Sequence, residues 1–283
     1  MIPKGKLIII GGHEDKTIEG ESLIVIKRKD SKPHPHFEIL SLIISKVPRA
    51  HHIIEIIATA SSIPEEMEET YSTAYKNAGF THVGFIRIEN ETQANDPLLI
   101  KRISYSHAVF FTGGDQVKLT AILNGTSVLS AIKKKYEVDE HFIVAGTSAG
   151  AMAIPKTIIA RGIIREALLK DDIKMSSGFG FIDDLIVDTH FIKRGRFARL
   201  AHAVALNPNL LGIGLGEDTA LIISNGNEAV CSGSGMVIII DGNHVSKTNI
   251  SEVDNFTPII IENLKVHILA EDNTFLIRER KFL

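Results

Sequence analysis

The sequence predicts an α/β fold: a mostly parallel sheet flanked by helices, with antiparallel additions at the C-terminus. Three observations predict it. Short β-branched runs alternate with longer segments of helical period, the pattern of strands joined by crossover helices. The run Ile53–Ala60 is apolar nearly throughout, as a strand buried on both faces requires. The first strand ends in Gly11-Gly12 and a later one in Gly113-Gly114, at the edge where open α/β sheets place their sites.

In chain order, Lys6–Ile10 reads as the first strand and Ile53–Ala60 as the second. Pro64 opens a helix that runs to about Ala78, with Glu65 and Glu66 in its first turn where acids suit the helix dipole, and Gly79 ends it. His82–Ile88 is the next strand, Pro97–Ser104 a helix and Ala108–Thr112 a strand. Gln116–Leu123 is a helix stopped by Asn124-Gly125, and Ser127–Tyr136 another, before the strand Phe142–Ala145. A helix is expected from Ala151 to Ile159, limited by Pro155. Beyond it the pattern is less regular: strands at Leu185–Asp188, Leu211–Gly216 and Ala220–Ile223, with a helix at Phe197–Leu206. Val237–Ile240 followed by Asp241-Gly242 resembles a hairpin, and Ile259–Ile261, Val266–Leu269 and Phe275–Arg278 read as further strands.

A chain of 283 residues fits one large α/β domain as well as two smaller ones. No repeat, linker or shift in composition marks a boundary, so one domain over residues 1–283 is expected. Hydrophobic residues at 44% and charged residues at 23% exclude disordered and fibrous classes. A net charge of -3 argues against a nucleic-acid binder. No apolar run approaches the ~18 residues of a membrane span, and the stretch after Met1 is too short for a signal peptide. The one cysteine, Cys231, cannot close an intrachain disulfide and suits a reducing compartment. A cytoplasmic protein without nucleic-acid or membrane partners is expected.

The sharpest motif is Gly146-Thr147-Ser148-Ala149-Gly150, a Gly-x-Ser-x-Gly between a strand and a helix. A serine there sits on a sharp turn that lifts its hydroxyl above the sheet, and small neighbours make room for the bend. Backbone N–H groups after the serine can meet an oxyanion formed beside it. The competing reading is a tight strand–helix turn in which Ser148 only caps the helix.

A nucleophilic serine needs a base, and the base an orienting group. Of the 12 histidines, His13, His34, His36, His51 and His52 read as solvated loop residues. His34-Pro35-His36 hints at a metal, but no acid or cysteine completes a set at the usual spacing, so no metal or cofactor is expected. His190 follows the strand Leu185–Asp188 at the edge where sites form. Lys193, Arg194, Arg196 and Arg199 come next, either the wet face of a helix or guanidinium groups that grip a carboxylate. Leu211–Gly216 carries alternating glycines, which let another backbone approach, and delivers Glu217 and Asp218; either can orient a histidine. Gly113-Gly114-Asp115-Gln116 offers an amide donor and a side-chain donor, or an ordinary turn capped by Asp115.

Together these segments resemble the cyanophycinase family of serine peptidases, relatives of the aspartyl dipeptidase peptidase E. The resemblance runs from Gly11-Gly12 to about Gly242. It rests on four blocks in order: Phe111-Thr112-Gly113-Gly114-Asp115-Gln116, Gly146–Ala151, Asp188-Thr189-His190-Phe191 with Arg194-Gly195-Arg196, and Glu217-Asp218-Thr219-Ala220. It implies a three-layer fold like the class I glutamine amidotransferases. It makes Ser148 the nucleophile, His190 the base and Glu217 the orienting acid, in an order that departs from the Ser…acid…His of α/β-hydrolases. Gly114 and Ala149 would supply the oxyanion amides. Gln116, Asp188, Thr189, Arg194, Arg196 and Arg199 fall where the family places substrate-binding groups. The implied activity is an exopeptidase cut of cyanophycin, a poly-aspartate with arginine on each β-carboxyl, into β-Asp-Arg dipeptides, by a protein that is often a homodimer. The alternatives are an aspartyl or isoaspartyl dipeptidase of the peptidase E type, and an inactive relative that binds a carboxylate. Two positions depart from the family pattern: Thr189 stands for a glutamine and Gly216 for an acid, and Ser31–His36 looks like an insertion.

Overall fold

In the computed structural model, which describes residues 2–14, 38–47, 52–162 and 168–283, the first strand is β1 (Lys6–Ile10). Beside it in one direction run β5 (Ile143–Thr147), β4 (Ala108–Phe111), β2 (Ile53–Ile57) and β3 (His82–Ile86), all parallel. On its other side the sheet turns antiparallel through β10 (Thr219–Ser224), β11 (Glu228–Gly233), β16 (Thr274–Leu276) and β17 (Lys281–Phe282). A second sheet has the order β15 (Lys265–Leu269), β12 (Val237–Asp241), β9 (Leu211–Leu215) and β8 (Leu185–Asp188), with only β8 and β9 parallel.

The alternation of side chains along the parallel strands makes the layers. Leu7 and Ile9 of β1, Val109 and Phe111 of β4 and Val144 of β5 enter one core. Ile8, Ile10, Ala108, Phe110, Ile143 and Ala145 enter the core on the opposite face. Because both faces are covered, the central strands are apolar at most positions, as their sequence implied; Lys6, the buried Glu55 and Thr147 are the polar exceptions in β1, β2 and β5. The first core is closed by α3 (Pro97–Tyr105), α4 (Gln116–Leu123) and α5 (Ser127–Val138) and continues into the second sheet under α7 (Phe197–Leu206). The second core lies under α1 (Glu38–Ser45) and α2 (Pro64–Ala78). Gly79 ends α2 in the left-handed conformation, at φ 108°.

Three expectations are corrected. The helix expected over Ala151–Ile159 is only α6 (Ala149–Ala153). Pro155 has no N–H to continue it, and Thr157-Ile158-Ile159 are β-branched, so the chain turns into β6 (Thr157–Gly162), which pairs with β7 (Ile173–Ser177). No direct hairpin forms after β12. Its partners are β9 and β15, while the following chain forms a short pair, β13 (Lys247–Thr248) with β14 (Ile261–Glu262). The buried Asp241 carboxylate at the end of β12 is held by Arg280. Of the alternating glycines, Gly216 lies against another backbone as expected, with Met236 O 3.1 Å from where its Cβ would stand, but Gly212 and Gly214 in β9 admit side chains instead. A Cβ at Gly214 would stand 2.6 Å from the Phe191 ring, and one at Gly212 2.6 Å from Val204 of α7. Ser31–His36 and His51 lie outside the described residues.

Candidate active site

Ser148 sits between β5 and α6 with φ 51° and ψ -115°, a conformation that residues with a Cβ rarely adopt. Two backbone bonds hold the bend: the Ser148 amide donates to Ile10 O at 3.1 Å, and the Met152 amide to Ser148 O at 2.9 Å. Room for it comes from Gly146 and Gly150; a Cβ on Gly146 would stand 2.7 Å from the Gly150 carbonyl carbon.

His190 follows β8 in a second positive-φ turn, at φ 50°, with its amide on Gly11 O at 2.9 Å. Its Nε2 lies 3.0 Å from Ser148 Oγ, and its Nδ1 lies 2.7 Å from Glu217 Oε1. A carboxylate at Nδ1 fixes the tautomer that leaves Nε2 as proton acceptor. Glu217 leaves β9 with its other oxygen, Oε2, 3.1 Å from Lys193 Nζ. The structure thereby separates the two acids: Glu217 faces the imidazole, while the Asp218 carboxylate accepts from the Ser234 hydroxyl at 3.0 Å. Burial holds the His190 imidazole below the ordinary histidine value, and the Arg194 and Arg196 cations lower it further against the pull of Glu217. Burial alone would raise the Glu217 carboxyl, but the bonds from His190 and Lys193 outweigh it and bring the group below its usual range. At neutral pH the site therefore holds a neutral imidazole beside an ionised acid, the arrangement a general base requires.

The Gly113-Gly114 turn lies against the serine: a Cβ on Gly113 would stand 3.4 Å from Ser148 Cβ. Asp115 caps α4 through the amides of Val117 at 2.7 Å and Lys118 at 3.2 Å, and the Asp115 amide ties the turn to Ala60 O at 2.9 Å. Among the described residues the Gly114 and Ala149 amides meet no hydrogen-bond acceptor, so both remain able to donate to an oxyanion.

The other expected binding groups are arranged differently. The Gln116 amide nitrogen donates to the carbonyls of Ile159 and Ala160 at 3.1 and 3.0 Å, which ties α4 to β6 and spends both hydrogens that were expected to face a ligand. Asp188 is fully buried and takes Arg196 Nη1 at 2.9 Å and Arg199 Nε at 2.8 Å, with a further bond from Arg199 Nη2. Arg199 is itself buried, so its guanidinium neutralises Asp188 instead of reaching a ligand. Thr189 is also fully buried; its carbonyl accepts from Arg196 at 2.7 Å, and its hydroxyl meets no described partner. Arg194 is exposed and makes no ion pair with a described residue, yet it lies near enough to His190 to depress its basicity. Of the three arginines, Arg194 is the one whose guanidinium is exposed.

Two residues of the site escaped the reading of the sequence. Along the chain Lys193 is one cation in a run, with nothing to mark it as the partner of Glu217. Glu14, buried next to the serine turn, carried only the faint signal of an acid two residues after Gly11-Gly12. Among the described residues no cluster of three or more His, Cys, Asp or Glu is placed to hold a metal ion. No described helix is long and apolar enough to cross a membrane.

Known proteins share this architecture. The sequence model of peptidase family S51 matches residues 25–230. The cyanophycinase of Synechococcus elongatus is 30% identical over 275 residues, covering 97% of this chain and 80% of that protein. Among solved structures, a peptidase from an acI-B1 Actinobacterium superposes with a TM-score of 0.64 at 21% identity, over 96% of each chain. A putative peptidase E protein from Listeria monocytogenes superposes with a TM-score of 0.50 at 14% identity, over 82% of this chain and 99% of that one. These two likenesses concern the fold, which is the α/β sheet with peptidase E-like topology and antiparallel additions that the sequence predicted.

Proposed function

The chain belongs to peptidase family S51, a family of serine-type peptidases, and from that premise we propose that it hydrolyses cyanophycin to β-Asp-Arg dipeptides through an acyl-enzyme on Ser148. The observation that carries the reading is the continuous line Ser148 Oγ–His190 Nε2, 3.0 Å, and His190 Nδ1–Glu217 Oε1, 2.7 Å. Its relative from Synechococcus elongatus is named a cyanophycinase, which directs the choice of substrate.

In this mechanism Ser148 Oγ attacks the scissile carbonyl carbon while its proton passes to His190 Nε2. Glu217 stabilises the resulting imidazolium, and the Gly114 and Ala149 amides donate to the oxyanion. His190 then returns the proton to the leaving nitrogen as the C–N bond breaks. Water, activated by the same imidazole, hydrolyses the ester and regenerates the serine. Arg194, the exposed cation near the imidazole, would bind a free carboxylate of the kind that each β-linked arginine of the polymer presents.

The test is product analysis. Wild-type protein incubated with cyanophycin should release β-Asp-Arg, and Ser148→Ala should abolish that release by orders of magnitude. Turnover of α-aspartyl dipeptides in place of the polymer would move the assignment to a dipeptidase. Absence of any hydrolysis, together with no mass gain from a serine-directed fluorophosphonate at Ser148, would overturn it altogether.

A further inference from the structure

Three consecutive carbonyls, from the last residue of β1 onward, hold the three turns of the site. Ile10 O accepts from Ser148 N at 3.1 Å, Gly11 O from His190 N at 2.9 Å, and Gly12 O from Asp218 N at 3.0 Å. Each donor lies at positive φ, 51°, 50° and 48°, and such conformations persist only where the surroundings over-determine them. This short segment is thus the common rail on which serine, imidazole and acid are registered.

What fixes the rail lies two residues further on. The Glu14 side chain is buried and, among the described residues, accepts from two hydroxyls, Tyr71 at Oε1, 2.6 Å, and Thr147 at Oε2, 2.7 Å. Thr147 ends β5, is itself buried, and immediately precedes Ser148. Tyr71 comes from α2 and packs against Tyr75 and Phe110, with ring centroids 6.0 and 5.0 Å away, so its hydroxyl is delivered by a rigid aromatic cluster. Burial and the Glu14 charge raise the Tyr71 phenol well above its usual value and keep it a donor. A carboxylate is costly to bury, and an apolar side chain would fill the space at less cost. What the carboxylate adds is direction: it joins the β1 rail, α2 and the residue before the nucleophile at one point.

We propose that Glu14 is a positioning residue for the hydrolytic reaction, setting the Ser148 turn, and with it the Oγ–Nε2 alignment, through the Thr147 hydroxyl. The proposal rests on the hydrolase reading above. Glu14 touches no reacting atom, so its effect belongs in kcat and in the rate of acylation rather than in substrate affinity.

The variants are Thr147→Val, which keeps the shape and deletes the bond, Thr147→Ser, which keeps the hydroxyl, and Glu14→Gln. Each is measured for acylation by a fluorophosphonate, for kcat and KM on cyanophycin, and for Tm. Thr147→Val and Glu14→Gln should lose about 10²-fold in acylation rate and kcat, the scale of an ångström-level misplacement, with KM little changed. Thr147→Ser should recover most of the rate. A Thr147→Val protein that is less stable yet acylates at the wild-type rate would reduce the cluster to a structural contact and overturn the proposal. If wild-type protein is neither acylated nor active, the hydrolase reading fails instead. The positioning claim is then decided by a crystal structure of Thr147→Val, where an unchanged Ser148 φ and an unchanged 3.0 Å Oγ–Nε2 separation would overturn it and a displaced serine would uphold it.

Discussion

The His190 imidazole rests directly on the Cα of Gly12: a Cβ at that glycine would stand 2.5 Å from both Cε1 and Nε2. Gly12 also has φ 95°, where any side chain is strained. The glycine pair after the first strand is therefore the floor of the base, and the ring has no space to retreat on that side. Gly12→Ala should push the imidazole off the serine and lower kcat by about 10²-fold or more. Steady-state kinetics beside a denaturation curve would check this, and near-normal kcat in a folded variant would show that the ring has another seat.

The pH dependence follows from the direction of the His190 shift. The base works when neutral, so kcat/KM falls as pH drops through its folded-state value, which burial and the neighbouring cations hold below the ordinary 6.5. The acid limb of the profile should have its midpoint below 6.5. Arg194→Gln removes one of the cations that lower it and should move that limb toward higher pH. A limb that stays in place would mean that Arg194 does not act on the imidazole.

Lys193 touches Glu217 at 3.1 Å but its side chain is 64% exposed, so solvent and salt screen it. Lys193→Met should cost less than about tenfold in kcat, with the difference from wild type shrinking as ionic strength rises. Glu217→Gln, by contrast, removes the acceptor that fixes the tautomer and should cost about 10⁴-fold. Parallel kinetics on the two variants would rank the contacts, and equal losses would contradict this ranking.

Asp188 neutralises two guanidinium groups whose side chains are only 12% and 7% exposed. Asp188→Ala leaves both buried without a counter-ion and should destabilise the protein by about 3–5 kcal/mol, read from urea unfolding. Arg194→Ala, at an exposed position with no ion pair to a described residue, should leave stability nearly unchanged and raise KM. The reverse pattern would exchange the structural and binding roles assigned to the two sites.

Cys231 is buried in β11, and burial pushes its thiol up to about 11. A thiol so protonated is a poor nucleophile, so Ellman's reagent should leave the native protein unmodified and titrate one thiol after unfolding. Fast reaction in the native state would show that β11 opens.

The sequence by itself determined the parallel block and the kinship with serine-type peptidases. Doubly apolar strands such as Lys6–Ile10 have one stable use, between two layers, and Gly146-Thr147-Ser148-Ala149-Gly150 has few uses other than a sharp exposed turn. The choice between Glu217 and Asp218 was beyond it, because adjacent residues leave a strand on opposite sides and only the left-handed turn at Asp218, φ 48°, decides which faces the imidazole. The fate of the cations was hidden for the same reason. Arg196 and Arg199 look alike to Arg194 along the chain, but the start of α7 turns both inward onto Asp188, Arg196 just before the helix and Arg199 in its first turn, and charge pairing in a low-dielectric interior is a property of distance in space. Glu14 shows this most plainly: its partners Tyr71 and Thr147 lie 57 and 133 residues away, and nothing local announces a carboxylate that works only when three distant segments meet.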